Sequence, residues 1–370
     1  MGKGERSSAC EGMTPKPCCE RLGIQRGGQM KGRIWTVAVG LVSVAALIAV
    51  PAAFAAYTSA KLEVRQAGSV ATIKASLDPN DDPTASVRIF APAGTQLTTN
   101  QAPGTVLGPV KAIVKALDLA GADLPLEGQL IVAAPGQIAP ASQAACLGAT
   151  APLASWIMIL SAAGQTLPVP TYLVATTGAQ TALGPAFIQV CLPPPDIPPG
   201  TPGRATFGAK LYSAELAIKG VFSAVSTGAW VSFWTPYKPG VGQLNALGTV
   251  AAPAAIAPGA VSVAAKKLGA GALVAGAVTQ AGQPRGGAVV TIWGAQGKAA
   301  LKPLGKAKVT AAGKFTFRAK LGDNFQARAV AAPGSAAALC TQLGPVFAPV
   351  PCVNPTVNGF TVQSKTIRKK

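Results

Sequence analysis

The sequence predicts an all-β protein: an N-terminal β-rich, sandwich-like domain, then a second β-sandwich, with an apolar helix in front of both. Three observations lead there. Gly and Pro, 42 and 32 in the chain, recur between short apolar or alternating runs, the punctuation of strands and turns. Alanine is abundant but interleaved with Gly, Pro and β-branched residues, so its helix preference does not accumulate over a window. One uncharged run, residues 34–56, stands apart from this pattern and precedes it.

Residues 1–29 are polar and carry Cys10, Cys18 and Cys19. They are expected to be a disordered tail, or an over-extended start, because Met30 opens a complete export signal by itself. Residues 30–33 form its positive segment and 34–50 its apolar core. Pro51 breaks the helix, and Ala53-Phe54-Ala55 fits a signal peptidase site, which places cleavage between Ala55 and Ala56. The competing reading is an uncleaved transmembrane anchor, since about 20 apolar residues span a bilayer. Lys31 and Arg33 put Tyr57 onward outside the membrane in both cases. The expected location is therefore secreted or at the cell surface, with the uncleaved helix as a tether in the second case.

The first domain is expected over residues 56–247. Leu62 and Val64, then Val70, Thr72 and Lys74, alternate about a turn at Ala67-Gly68. Asp78-Pro79-Asn80-Asp81-Asp82-Pro83 offers oxygens like the start of a calcium loop. It lacks the sixth-position Gly and the closing Glu, so a turn with Asx hydrogen bonds is expected instead. Further strands are predicted at 87–91, 127–133, 153–160, 169–174 and 186–190, while 112–119 fits a strand or a short helix. Gly108-Pro109 reads as a break. Residues 193–203, PPPDIPPGTPG, are polyproline-like and semi-rigid, a loop or spacer. Residues 205–222 and 229–237 alternate again. In the second of these, Trp230, Ser232 and Trp234 share one face, and Val231 and Phe233 share the other. Such an aromatic row is expected in the core; exposed, Trp230, Trp234 and Trp293 would be sugar-stacking candidates.

Residues 248–259, GTVAAPAAIAPG, read as an Ala/Pro linker, and 260–335 as the second domain. Its Gly282-Gln283-Pro284 turn, the Gly287–Ile292 segment (GAVVTI) and Thr310-Ala311-Ala312-Gly313-Lys314-Phe315-Thr316-Phe317 resemble bacterial Ig-like modules of the carboxypeptidase regulatory-like group over about residues 260–332. That resemblance implies a sandwich of about seven strands, serving binding or spacing and not chemistry. Alternation agrees with it: Phe315 and Phe317 oppose Lys314, Thr316 and Arg318. Residues 336–370 depart from the family as a disulfide loop and basic tail.

Four cysteines follow the apolar run: Cys146, Cys191, Cys340 and Cys352. An even number in an exported chain reads as disulfides. Three pairings exist, and the sequence-local one, Cys146–Cys191 with Cys340–Cys352, is expected.

With no histidine in the chain, Ser-His-Asp and Cys-His catalysis and most zinc sites fall away. Two positioned carboxylates would suffice for a glycoside hydrolase, but most acids stand in turn-like contexts, and a non-catalytic protein is expected, with no metal and no cofactor. Charge is the stronger signal. Residues 56–258 hold ten Lys/Arg and nine Asp/Glu; residues 259–370 hold fifteen Lys/Arg and one acid, Asp323. Lys298, Lys302, Lys306, Lys308, Lys314, Arg318, Lys320 and Arg328, with Arg368, Lys369 and Lys370, are the expected polyanion-binding residues. An imbalance of this kind speaks of partners. Outside a cell these are anionic wall polymers, acidic glycans or anionic lipids. Lysines outnumber arginines and no base-reading motif appears, so specific nucleic-acid binding is not expected. The sequence thus predicts an envelope-associated or adhesive protein, with carbohydrate binding by aromatic stacking as the alternative.

Overall fold

From Lys61 to Ile256 the alternating runs form eleven strands that join one sheet. They are β1 (Lys61–Ala67), β2 (Val70–Ser76), β3 (Thr84–Phe90), β4 (Val106–Ala116), β5 (Ala122–Val132), β6 (Ala154–Ala162), β7 (Gln165–Ala175), β8 (Ala186–Cys191), β9 (Ala209–Lys219), β10 (Gly228–Pro236) and β11 (Val250–Ile256). The computed structural model describes residues 57–162, 164–347 and 350–370. The predicted export signal, its cleavage point at Ala55 and Ala56, and residues 1–29 lie outside these.

The strands run β1-β2-β9-β4-β5-β6-β7-β8-β3-β10-β11 across the sheet, each antiparallel to its neighbours. Leu62 and Val64 of β1 share a buried cluster with Trp230 of β10 and Ala252 and Ala254 of β11. The sheet has therefore curled until its first strand faces its last, and alternate residues of every strand point into one core. Curling needs irregular points. Val106 and Gly108 flank a register shift in β4, and a Cβ on Gly108 would lie 1.9 Å from the Ala217 carbonyl oxygen. The Gly108-Pro109 pair thus bends a continuous strand instead of breaking it.

The residues expected to be an Ala/Pro linker form β11, paired along its whole length with β10 and mostly buried. Pro253 is accommodated, and the small side chains let β11 close against the large ones of β10. The wall outside β3, β7, β8, β10 and β11 is also apolar, with Phe90, Tyr172, Val174, Phe187, Val231 and Phe233 buried there. Two helices that the strand pattern did not predict, α1 (Pro140–Leu147) and α2 (Ala338–Phe347), lie against this wall through Leu147 and Leu343. The disulfides are Cys146–Cys191 and Cys340–Cys352. Both staple these helices at the rolled sheet. The second therefore does not belong to the C-terminal domain alone, because Cys352 bridges to Ala251 of β11.

The chain then builds a two-layer sandwich. One layer holds β12 (Gly259–Leu268), β13 (Gly271–Gln280), β14 (Gln283–Pro284) and β17 (Lys314–Ala319); the other holds β15 (Val289–Ala295), β16 (Lys302–Lys308) and β18 (Asn324–Ala331). Val274, Val278, Val290, Ile292, Phe315 and Phe325 fill the space between them. The predicted tail is structured: β19 (Gly334–Ser335), β20 (Thr356–Val357), β21 (Phe360–Gln363) and β22 (Ile367–Arg368). β21 and β22 extend the second layer from β18, whereas β20 runs parallel to β11 in the rolled sheet.

β20 also closes the roll. Thr356 Oγ1 donates to the Leu62 carbonyl at 2.5 Å, and Asn354 Nδ2 donates to those of Ala60 and Thr58 at 3.1 and 3.3 Å. The junction with the sandwich is polar, and the Gln280 amide nitrogen is satisfied there while its Oε1 has no partner among the described residues. Buried Gln280 donates to Asn358 O at 2.9 Å and Ala257 O at 3.1 Å, and Asn358 Oδ1 accepts from the Ala257 amide at 2.8 Å. Everything described belongs to one compact unit.

Candidate functional site

Directly paired residues in antiparallel strands share a face, so register decides which cations stand together. On the outer face of the layer β16-β15-β18-β21, Lys308 pairs with Val289 and Val289 with Val330. Lys306 pairs with Thr291, Thr291 with Arg328, and Arg328 with Gln363. Arg368 extends the face through Asn324. Lys306, Lys308, Arg328 and Arg368 are all exposed. Among them stand two exposed aliphatics, Val289 at 45% and Val330 at 47%, and the half-buried Trp293 beside Gln326.

The remaining predicted cations lie elsewhere. Lys314 and Arg318 project from β17 on the outer face of the opposite layer, in register with Ala277 and Leu273. Lys298 and Lys320 lie in connections, and Lys302 sits at the strand end, opposite Gly294. Lys369 is engaged, reaching Asp323 at 2.9 Å. That ion pair and the Gly297 amide hold the Asp323 carboxyl below the usual carboxylate range. Asp323 is the sole acidic side chain in residues 259–370; it also feels the charge of Arg368, whereas Lys306, Lys308 and Arg328 make no ion pair among the described residues. The Lys370 carbonyl accepts from the Lys267 amide at 3.0 Å, which fixes the chain end against β12.

The aromatic row separates from the third candidate indole, Trp293. Trp230 and Trp234 are 0% and 1% exposed, inside the rolled sheet, which removes both from glycan stacking on a surface. Val231 and Phe233 on the opposite face are also buried, at 1% and 8%, so neither face of β10 meets solvent along this row. Of the three stacking candidates only Trp293 is accessible.

Acidic side chains serve as ties. Asp81 accepts from the Thr58 amide, Thr58 Oγ1, Ser59 Oγ and the Asp78 amide, and Asp78 caps the Asn80 amide at 2.8 Å, the Asx geometry expected for this turn. Lys61–Glu63, Lys111–Glu127, Lys115–Asp123 and Arg204–Asp118 are ion pairs.

The rolled sheet has a feature that sequence reasoning missed. A cavity of about 280 Å³ lies inside it, lined by inward residues of β2 to β10, with Pro193, Pro195, Thr206 and Lys210 at its mouth. Alternation named the inward residues; the hollow itself depends on small side chains from distant strands meeting at one level. No protein-family model, curated protein or solved structure matches the chain.

Proposed function

We propose that this is a non-catalytic protein of the cell exterior that docks on an anionic envelope surface through the outer face of β16, β15, β18 and β21. The reading rests on one observation: Lys306, Lys308 and Arg328 stand together there with no ion-pair partner among the described residues, around the apolar Val289, Val330 and Trp293, while Arg368 at the edge of the face is near Asp323. Charge draws such a face to phosphate- or carboxylate-bearing polymers and lipids, and the apolar residues add contact area once it has arrived. Two disulfides are consistent with an oxidising compartment. Secretion or surface retention completes the proposal, together with the Ig-like character of residues 260–332, which the two packed layers support.

Structural use of the acids supports the non-catalytic reading, since ion pairs or backbone amides occupy most of the carboxylates. The test is a salt titration of binding to a wall polymer rich in phosphate and, separately, to anionic vesicles. Docking is expected to weaken steeply as the Debye length falls from about 10 Å at 0.1 M salt to 3 Å at 1 M. Affinity indifferent to salt contradicts it.

A further inference from the structure

The rolled sheet is filled at one end and hollow at the other. At the filled end Trp156, Trp230 and Phe222 are fully buried, with Phe222 edge-on to Trp230 at 5.2 Å between ring centroids. Along the same inward rows, toward the other end, Ala75, Ala112, Val114, Val190 and Ala214 replace them and leave the cavity. Interiors normally pack like organic crystals, so a hollow of this size leaves its lining short of contacts. Its walls are mostly aliphatic; Met158, Trp234, the disulfide-bonded Cys191 and Thr84 also line it, and Thr84 Oγ1 accepts from the Tyr57 hydroxyl at 3.1 Å. The Trp234 indole N–H is already spent on Ser232 Oγ at 2.8 Å, which in turn donates to the Ala252 carbonyl at 2.9 Å.

The mouth is constructed differently. The proline-rich segment 193–203 lies across it, with Pro195 buried. Arg204 grips Asp118 with two hydrogen bonds of 2.7 Å and donates from Nε to the Ile197 carbonyl at 2.6 Å. Asp196 accepts from the Gly240 amide at 2.7 Å, and Tyr237 donates to the Leu192 carbonyl at 2.6 Å. Phe207 and Gly208, where this segment enters β9, both hold left-handed backbone, φ 56° and 59°. That conformation is costly for Phe207 and marks a constrained hinge. Lys210 follows, half-buried, and no described carboxylate lies within ion-pair distance of it. Asp78, Asp81, Asp82 and Asp196 surround it at longer range.

We propose that this cavity is a binding site for one uncharged, largely hydrocarbon molecule bearing a single oxygen group, its chain inside the roll and its oxygen accepting a hydrogen bond from Lys210. Size sets the scale: an apolar cavity of about 150 Å³ stays dry and takes benzene, so roughly twice that volume suits about a dozen heavy atoms. The nearby carboxylates set the charge, because Asp78, Asp81, Asp82 and Asp196 outnumber the one cation that lines the mouth, Lys210, and an anionic head there meets a net like charge. Burial raises the Asp82 carboxyl and lowers Lys210, as expected where water is excluded. The inference stands independently of the docking face.

Decanol and decanoate test it on the full chain by calorimetry, with the fluorescence of the lining Trp234 as a second readout. Decanol is expected to bind with one site per chain, and decanoate about tenfold or more weakly. Ala112→Phe fills the hollow and abolishes decanol binding while circular dichroism stays unchanged. Should that variant not fold, the milder Ala214→Val decides by a clear weakening. Lys210→Met weakens decanol but leaves decane unaffected. No decanol binding, or equal binding by the filled variants, overturns the site; equal affinity for decanoate overturns the assignment of its head group.

Discussion

At the scale of single residues, the buried indoles differ in what their nitrogens do. Trp234 donates to Ser232, whereas the Nε1 atoms of Trp156 and Trp230 have no partner among the described residues. An orphaned buried donor costs about 1–3 kcal/mol, so Trp230→Phe loses some packing but also sheds that cost. It is expected to destabilise far less than Trp230→Ala, which should cost about 3–5 kcal/mol in chemical denaturation. Trp293→Ala, on the accessible face, should cost less than about 1 kcal/mol. Asp118 gives the residue-scale dependence on pH. Its hydrogen bonds from Arg204 hold the carboxyl below the usual range. The folded-state pKa thus lies below the unfolded one. The contribution of this pair is present at neutral pH and is lost as pH falls through the folded value. Side-chain NMR signals of Arg204 should shift in acid, below about pH 4, and Asp118→Asn should show the acid-form spectrum at neutral pH. Arg204 signals that ignore both changes refute this role for the pair.

Elements were legible wherever alternation was unbroken. β1, β2, β3, β8 and β10 follow directly from their apolar rows, and so does the division of Trp230 and Trp234 from Val231 and Phe233. β9 shows where reading fails. Leu211 faces inward with Val114, but a register shift beside Tyr212 changes the phase, so Ala214, Leu216 and Ile218 take the inward positions. Periodicity by itself places no such bulge. The Ala/Pro stretch that became β11 misled for a related reason: its inward residues are small because Trp230 and Trp234 occupy the space beside them, a tertiary fact. Among the site residues, Lys306, Lys308 and Arg328 were named from charge density. Their separation from Lys314 and Arg318 is a matter of which layer each strand joins, and composition carries no trace of it. The cysteines were the most legible feature, since even number and local spacing gave both pairings. Replacing Cys340 and Cys352 by Ala is expected to lower unfolding free energy by about 2–4 kcal/mol, read as a lower denaturant midpoint. An unchanged midpoint contradicts a stapling role for that bridge.

On the scale of the whole molecule, the last residues complete structures begun at the first strands. Thr356 and Asn354 close β11 onto β1, and residues 360–368 finish the outer layer of the sandwich. Sequence-distant contacts of this kind make folding slow relative to helical proteins and couple the two parts. Ending the chain after residue 335 should therefore weaken the rolled sheet and the sandwich together. The expected result is an earlier thermal transition reported in concert by Trp234 in the roll and Trp293 in the sandwich. A truncated chain in which Trp234 keeps its original transition would show that the roll closes without β20.

The docking face makes the most direct demand. Lys306→Glu with Lys308→Glu, and Lys314→Glu with Arg318→Glu, change net charge equally but on opposite layers of the sandwich. Binding to anionic vesicles or wall polymer at physiological salt should fall at least about thirtyfold for the first pair, given about 1 kcal/mol per cation near an anionic surface. The second pair should lose only a small part of that. Equal losses from both pairs would mean that net charge alone brings the protein to its surface, and would contradict a docking face on β16, β15, β18 and β21.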